Sequence, residues 1–532
     1  MKIRLGLVLG CLAAQPVAAG GLFLPGSGAI STSRAGAAVA STDDGEALAV
    51  NPSGMANTKG TTITLSAAII SYSMQFTRRG TYDNIASEDP SYEGQPFGTI
   101  KNNSKPPLGI GSFQPIPVIA VVTDLGGRLG PVRLGIGLYA PNAYPFRDMS
   151  GGYVFNGDFD APPPPSRYDV VEQEGTILLP SIAASWRVSP MLDVGARFSF
   201  GSADIKTTTT VWGTPGNVTE FVKSDSLFTL EAKDSFVPAW GIGATVHATP
   251  YLDIAATYNS QITVRANGTA TSQKGPDVNV NMQPIEIGKS LTPRCDPNTL
   301  PVGDESDFTS QRGCVDFATP MSLLVGARYK FLDGAGKMKG DIEFNAGWEN
   351  WSADLATNYR VVVDSDVYID GTSFLSLKDN VIRHEFSDTF SFRLGGSYHL
   401  PVGDNTVILR AGVSHDTRAA KEGWLRASLD GAARTMMALG GAYRAKRFEI
   451  DAGFGFVYEG TQNNPGECNV LVDTPDMKGC NNDGNERASK DRIGLDPINP
   501  LVVTEQQTES PVTLGEYKSH YVMFMLGAST WF

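Results

Sequence analysis

Four arginines, Arg197, Arg328, Arg393 and Arg410, occupy polar positions in stretches where apolar and polar residues alternate. A guanidinium so placed can grip a carboxylate through two parallel hydrogen bonds. The competing use is an ion pair with an acid on the same face, for which Asp193, Glu343 and Glu349 are available. A second set of residues, between the alternating stretches, offers apolar contact: Phe146, Tyr153, Phe155 and Phe159, then Leu227, Phe228 and Leu230. An apolar lining with one or two cations suits a hydrophobic small molecule that carries an acidic headgroup. Bond-making chemistry is not signalled. The chain has no HExxH, Gly-x-Ser-x-Gly, Walker loop or Cys-x-x-Cys, and its histidines (His247, His384, His399, His415 and His520) are scattered. His415-Asp416 could join a serine in a catalytic triad only if the fold brought them together. The turn at 481–485 lacks the spaced oxygen ligands and closing Glu of a calcium loop. No catalytic residue, metal ligand or cofactor site is therefore assigned, and an enzyme is not expected.

The cysteines speak to compartment. Lys2 and Arg4 precede an apolar stretch, and Val17-Ala18-Ala19 supplies a small-residue cleavage site, so residues 1–19 read as a secretory signal peptide that contains Cys11. In an exported chain, Cys295, Cys314, Cys468 and Cys480 favour disulfides over metal or redox chemistry. Four cysteines allow three connectivities, and proximity favours Cys295–Cys314 and Cys468–Cys480.

The elements that hold these residues follow from patterning. The chain has 532 residues, 58 of them glycine, only 19 % charged, and a net charge of −13. An acidic balance argues against a nucleic-acid partner. Beyond the leader no run of about 18 apolar residues occurs, which excludes a helical membrane protein but not a β-barrel. Period-two alternation recurs, as in Leu192, Val194, Ala196, Phe198 and Phe200 against Asp193, Gly195, Arg197 and Ser199. Read throughout, it predicts strands near 61–77, 113–124, 131–140, 176–189, 191–206, 235–248, 251–267, 319–331, 338–351, 384–400, 405–416, 434–446, 447–460 and 519–532. Short and long gaps alternate between them, as periplasmic turns and external loops do in outer-membrane barrels. The final strand closes on Phe532. The expected fold is all-β, a 14-stranded antiparallel transmembrane β-barrel spanning 59–532. Within 61–77 the apolar phase switches between Leu65 and Ile70, which predicts a bulge or register change.

Residues 20–58 do not alternate. They are rich in Gly, Ala and Ser, too few to fold alone and too apolar to hang free, so an N-terminal plug inside the lumen is expected. The run Gly28…Arg34-Ala35-Gly36-Ala37…Asp43-Asp44…Asn51-Pro52-Ser53-Gly54-Met55 resembles the hatch of the FadL-type long-chain fatty acid transporters, a family that includes TodX-type aromatic-hydrocarbon channels. The stretches 134–141, 179–183, 348–352, 388–398 and 409–416 resemble its strands in the same order. Ser53 stands where the family usually has Ala, and the long cysteine-bearing loops also depart from it.

The resemblance implies uptake of hydrophobic compounds by facilitated diffusion across the outer membrane of a Gram-negative bacterium. Long-chain fatty acids are the expected cargo and toluene-like aromatics the alternative; an outer-membrane hydrolase or an adhesin is the reading from other classes. It also implies an apolar groove among the external loops, an internal pocket, and exit by hatch rearrangement or through the wall beside a kinked strand. The expected ligand residues are Arg197, Arg328, Arg393, Arg410, Phe146, Phe155 and Phe228, and the hatch motif is Asn51, Pro52, Ser53, Gly54 and Met55. Outer-membrane lipid and lipopolysaccharide would surround a monomer.

Overall fold

The structure is a computed structural model. It describes residues 22–85, 87–88, 90–211, 220–278, 284–289, 295, 311–369, 373–377, 380–384, 386–421, 424–429, 431–464 and 514–532. The leader with Cys11, the cysteines Cys468 and Cys480, and the turn at 481–485 lie outside the described residues.

Alternating residues place successive side chains on opposite faces of a strand, and the alternating stretches form fourteen barrel strands. Six lead: β1 (Thr62–Arg78), β2 (Gln114–Thr123), β3 (Val132–Tyr139), β4 (Glu172–Ser189), β5 (Leu192–Val211) and β6 (Ser226–Thr249). The next four are each built in two pieces: β7 (Leu252–Asn259 and Ile262–Lys274), β8 (Gln311–Thr319 and Ser322–Leu332), β9 (Met338–Glu349 and Asn358–Ile369) and β10 (Asn380–Arg383 and Thr389–Val402). Then come β11 (Asn405–Asp416), β12 (Arg434–Arg444), β13 (Phe448–Asn464) and β14 (Gly515–Trp531). Each pairs antiparallel with its neighbour in sequence, and β1 pairs with β14 from Thr62↔Trp531 to Arg78↔Gly515, so the sheet closes and has no free edge.

The faces are inverted relative to a soluble sandwich. On β5, Phe198 and Phe200 point outward, 38 % and 47 % exposed, while Asp193, Arg197 and Ser199 are buried inside. An apolar exterior around a polar interior is what hydrocarbon demands of a barrel.

Two readings are corrected. β1 carries no bulge: its register with β2 and β14 is unbroken, and even-numbered residues face inward throughout. The apolar residues cross from the outer face (Ile63, Leu65) to the inner face (Ile70, Tyr72, Met74, Phe76) because the strand rises above the membrane. Its outward residues there are Ser71, Ser73 and Gln75, and the lumen beside it is apolar. The true phase change lies in β7. Asp253, Ala255 and Thr257 face inward below Ser260-Gln261, and Ile262, Val264 and Ala266 face inward above it. Finally, Leu227, Phe228 and Leu230 are not loop residues. They belong to β6, whose upper part pairs with both β5 and β7.

The disulfide Cys295–Cys314 is formed, with Cα atoms 5.5 Å apart, and ties the chain before β8 to that strand.

Candidate functional site

The N-terminal segment lies against the inner face of the barrel as α1 (Ala29–Ser33), α2 (Ala47–Val50) and a 3₁₀ turn, Pro52–Asn57. Its short helices are anchored by wall and segment side chains in place of propensity. Both oxygens of Glu46 accept from α1, from the N–H groups of Ile30 and Ser31 at 2.9 Å each, and Ser66 Oγ donates to Oε1 at 2.8 Å. Arg34 makes a two-pronged pair with Asp341, at 2.9 and 3.0 Å. The Ala40 N–H donates to Glu343 at 2.8 Å and the Ala38 N–H to Asn345 at 3.0 Å.

At the Asn51-Pro52 turn, Asn51 Nδ2 donates to the Val39 carbonyl at 2.7 Å while Asn51 Oδ1 receives Ser53 Oγ at 2.9 Å. Ser53 Oγ also meets Thr245 Oγ1 at 2.8 Å, a wall contact that an alanine could not make. The wall opposite is glycine for lack of room. A Cβ on Gly243 would stand 1.9 Å from Asn51 Oδ1, and one on Gly195 2.4 Å from the Pro52 carbonyl carbon.

Beneath and beside this segment a belt of charge runs around the inner wall near the short turns. Arg187 pairs with Asp193 (2.8 Å), His247 bridges Asp193 (2.9 Å) and Asp253 (2.8 Å), and Lys330 also meets Asp253 (2.9 Å). Arg328 pairs with Asp341 at 2.7 Å. Arg410 holds Asp451 at 2.5 Å and Glu449 at 2.6 Å, and Arg444 also pairs with Glu449. Two of the four arginines, Arg328 and Arg410, are therefore structural members of this belt.

Above the segment lies a largely apolar cavity of about 460 Å³. Phe146, Ile116, Ile177, Leu178, Leu230 and Phe317 are among its walls, and Leu22 and Phe23 form part of its lining. It reaches the outer surface where β3 ends at Tyr139. There the chain turns inward at Pro141, and the outward-facing Pro115, Pro117 and Leu138 join the lining. One side carries linked aromatic rings: Phe317–Tyr359 (5.1 Å), Tyr359–His384 (4.5 Å), His384–Phe386 (4.9 Å), Phe386–Trp351 (5.6 Å) and Trp351–Phe23 (6.1 Å).

A second cavity of about 160 Å³ adjoins the first, sharing Phe23, Ala140, Pro141 and Thr319 with it. Both remaining arginines line it. Arg197 is committed to the N-terminal segment: it donates to the Leu48 and Ala49 carbonyls at 2.6 and 3.0 Å, and to Asn259 Oδ1 at 2.8 Å. Arg393 has no hydrogen-bond or ion-pair partner among the described residues, and its Nε is buried without an acceptor. Glu349 also lines this cavity, held by Trp351 Nε1 at 2.7 Å.

Of the predicted apolar contacts, the upper cavity gathers Phe146 and Leu230 but not Phe155 or Phe228. Phe228 packs on β6 against the apolar cluster that includes Leu230, and Phe155 stays in its loop against Phe159, ring centres 6.4 Å apart. Sequence reading missed the aromatic chain, whose members come from five separate stretches. Among the described residues the serines and histidines form no triad: His415 Nδ1 meets Thr435, and Ser397 Oγ, although 3.1 Å from His399 Nε2, bonds Asp341 itself, so the acid does not orient the imidazole.

The loops over the mouth are cross-linked by buried charge. Arg167 reaches Glu220 at 2.7 Å and Asp225 at 3.4 Å, Tyr168 donates to Asp225 at 2.8 Å, and Arg78 pairs with Glu220. Burial pushes the Asp225 carboxyl up to about 7. Asp169 is equally buried, yet Arg426 at 2.7 Å and donors from Ser428 outweigh that burial and hold its carboxyl below the usual range.

A family model for the outer-membrane transport proteins described as OMPP1/FadL/TodX matches residues 10–469. Among solved structures, a FadL homologue from Pseudomonas aeruginosa superposes with a TM-score of 0.64 at 13 % identity, covering 96 % of this chain and 99 % of its own. The toluene transporter TbuX of Ralstonia pickettii gives 0.56, and TodX of P. putida gives 0.55. Each is 14 % identical, with 96 % of this chain and 99 % of its own covered. At such identities the likeness is one of fold. No curated protein matches by sequence.

Proposed function

Because the chain belongs to the OMPP1/FadL/TodX family of outer-membrane transport proteins, we propose that the hydrophobic compounds it carries are long-chain fatty acids, moved by facilitated diffusion. The observation that carries this reading is Arg393, a guanidinium with no acceptor among the described residues, in a chamber directly adjoining an apolar one. A carboxylate would supply the acceptor, and its acyl chain would lie in the upper cavity. Without such a lining each methylene in water costs about 0.8 kcal/mol, roughly 10 kcal/mol for a long chain. Residues 20–58 act in this reading as the hatch that closes the lumen to ions, and ligand reaches the cavity from the loop face.

A second reading, uptake of aromatic hydrocarbons, is favoured by the aromatic chain from Phe317 to Phe23. Accumulation of radiolabelled oleate and of toluene by cells with and without the protein separates the two. Protein-dependent oleate uptake is expected. Dependence for toluene alone selects the second reading, and dependence for neither overturns transport.

A further inference from the structure

The outer face of β1, β13 and β14 changes character with height. Cross-strand pairing sets its outward side chains in rows. In one row Phe524 of β14 stands between Phe454 of β13 and Ile69 of β1, and both phenylalanines are 45 % exposed. Above it come Phe456, Val522 and Ser71, then Tyr458, His520 and Ser73. The next row is basic. Lys518 of β14 faces Gln75 of β1, whose other partner is Lys101 on a short strand, Thr99–Lys101. Lys101 and the nearby Lys105 are exposed and have no partner among the described residues, while Lys518 pairs with Glu516 at 2.5 Å. On β5 and β6, by contrast, the exposed lysines are neutralised across the strands, Lys206 by Glu231 and Lys233 by Asp204, at 3.0 Å each.

Beside the phenylalanine row an apolar turn leaves the wall. Ile110 and Phe113 exchange backbone bonds at 2.9 and 3.2 Å, and Ser112 Oγ meets the outward Ser71 Oγ at 2.8 Å. The Phe113 ring lies against Phe524, centres 5.6 Å apart, so the turn continues the lipid-facing belt of the barrel. Ile110 in this turn is 86 % exposed, and acyl chains covering it would remove that apolar surface from water. Six residues separate the Ile69 row from the Gln75 row, about 20 Å along a strand and roughly 15 Å in height at the usual barrel tilt. The headgroup zone of a phospholipid leaflet is only about 5–7 Å deep, so a phospholipid phosphate stops short of the lysine row. A phosphate carried on a sugar headgroup, with acyl chains below it, spans the interval.

We propose that the outer face of β1 and β14, with the turn at 106–113, is a binding site for a phosphorylated glycolipid of the outer leaflet. Its phosphates meet Lys101 and Lys518, and its acyl chains lie against Ile110, Phe113 and Phe524. Two observations choose this occupant: a basic row on a chain of net charge −13, and the continuity of the turn with the lipid-facing belt. The site is independent of the cargo, since Lys101, Lys518 and Ile110 line neither cavity. The test titrates the purified barrel in detergent with four probes and counts bound molecules by native mass spectrometry. The probes are rough lipopolysaccharide, the same lipopolysaccharide stripped of phosphate by a phosphatase, phosphatidylglycerol, and inorganic phosphate as competitor. Wild type should bind the phosphorylated glycolipid most tightly. Each cation near a lipid surface is worth about a factor of five, so Lys101→Gln with Lys518→Gln should weaken that binding about tenfold to thirtyfold. The same variant should bind the stripped lipid as wild type does, and Ile110→Asp should weaken both glycolipids. Unchanged heat-modifiable gel mobility checks that the variants fold. Equal binding of the two glycolipids by wild type, or wild-type affinity in the double variant, overturns the site. Phosphatidylglycerol bound as tightly, with the same dependence on the lysines, overturns the sugar-borne phosphate, and displacement of the glycolipid by millimolar phosphate assigns the lysines to the free ion.

Discussion

A guanidinium beside an apolar chamber needs an acceptor. Arg197, Arg328 and Arg410 find theirs in carbonyls of the N-terminal segment or wall carboxylates, whereas Arg393 has none among the described residues. Alternation in the sequence placed all four on the inner face, but it could not tell them apart. Their acceptors lie on other strands or in the N-terminal segment, and only the closed barrel brings them within reach. A bond between a charged donor and its ligand is worth about 1.5–3 kcal/mol, so Arg393→Met should weaken oleate binding roughly tenfold to a hundredfold. Toluene, which has no carboxylate, should bind as before. Titration of both ligands against purified protein checks this, and equal losses would make Arg393 a packing residue. Asp225 offers a prediction of opposite character. Its carboxyl is raised to about 7 in the folded loops from an ordinary value of 3.8, so the folded state binds the proton more tightly. Stability from this group is therefore full below about pH 4 and falls as pH rises toward 7. Amide exchange around residues 220–226 should quicken over that window, and Asp225→Asn should flatten the dependence. Asp169, whose carboxyl is lowered, has the reverse sign and loses its contribution only in acid.

Strands are legible because a barrel wall imposes the simplest of patterns, one face to lipid and one to the lumen. All fourteen stand near where alternation put them, β11 from Asn405 to Asp416 as read, although β6 begins at Ser226 and not near 235. The breaks in β7 to β10 were not legible. On either side of Ser260-Gln261 the residues alternate equally well, and only neighbouring strands decide which phase faces in. The glycines were visible as an excess, but their purpose lay in contacts across the lumen. Gly243 and Gly195 are flat ground on β6 and β5 against which the Asn51-Pro52 turn rests. Gly243→Val would force branched carbons into the space of the Asn51 amide, an overpacking that costs about 1–3 kcal/mol. The wall, bonded on both sides, should keep its place and the 3₁₀ turn should give way. Single-channel conductance in planar bilayers should rise, while the heat-modifiable gel mobility of the folded barrel stays the same. A variant that no longer folds would instead show that the glycine serves the strand.

At the scale of the molecule, two separable structures share one interior. The barrel closes through continuous backbone ladders, with β1 and β14 paired along their length. The N-terminal segment adds no strand to that ladder. It is held by side-chain bonds such as Arg34 to Asp341, Glu46 to Ser66 and Arg197 to the Leu48 carbonyl. The wall is therefore expected to fold without the segment, whereas the segment, too short to build a core, needs the wall. Composition alone pointed at this division, since residues 20–58 lack alternation. The change of apolar phase along β1 also carried more than was read from it: it marks the height at which the lumen turns from charged to apolar, and hence where a hydrophobic cargo can rest. Deleting residues 22–58 should give a protein that inserts with the compact mobility of a folded barrel and conducts ions in bilayers. Its lumen then lacks Arg34 opposite Asp341 and Glu343, and the Asn51 amide no longer fills the space before Gly243. Oleate binding should fall as well, because Leu22 and Phe23 form part of the upper cavity's lining. Unchanged conductance would mean that other residues close the pore, and loss of insertion would mean that the wall folds around the segment.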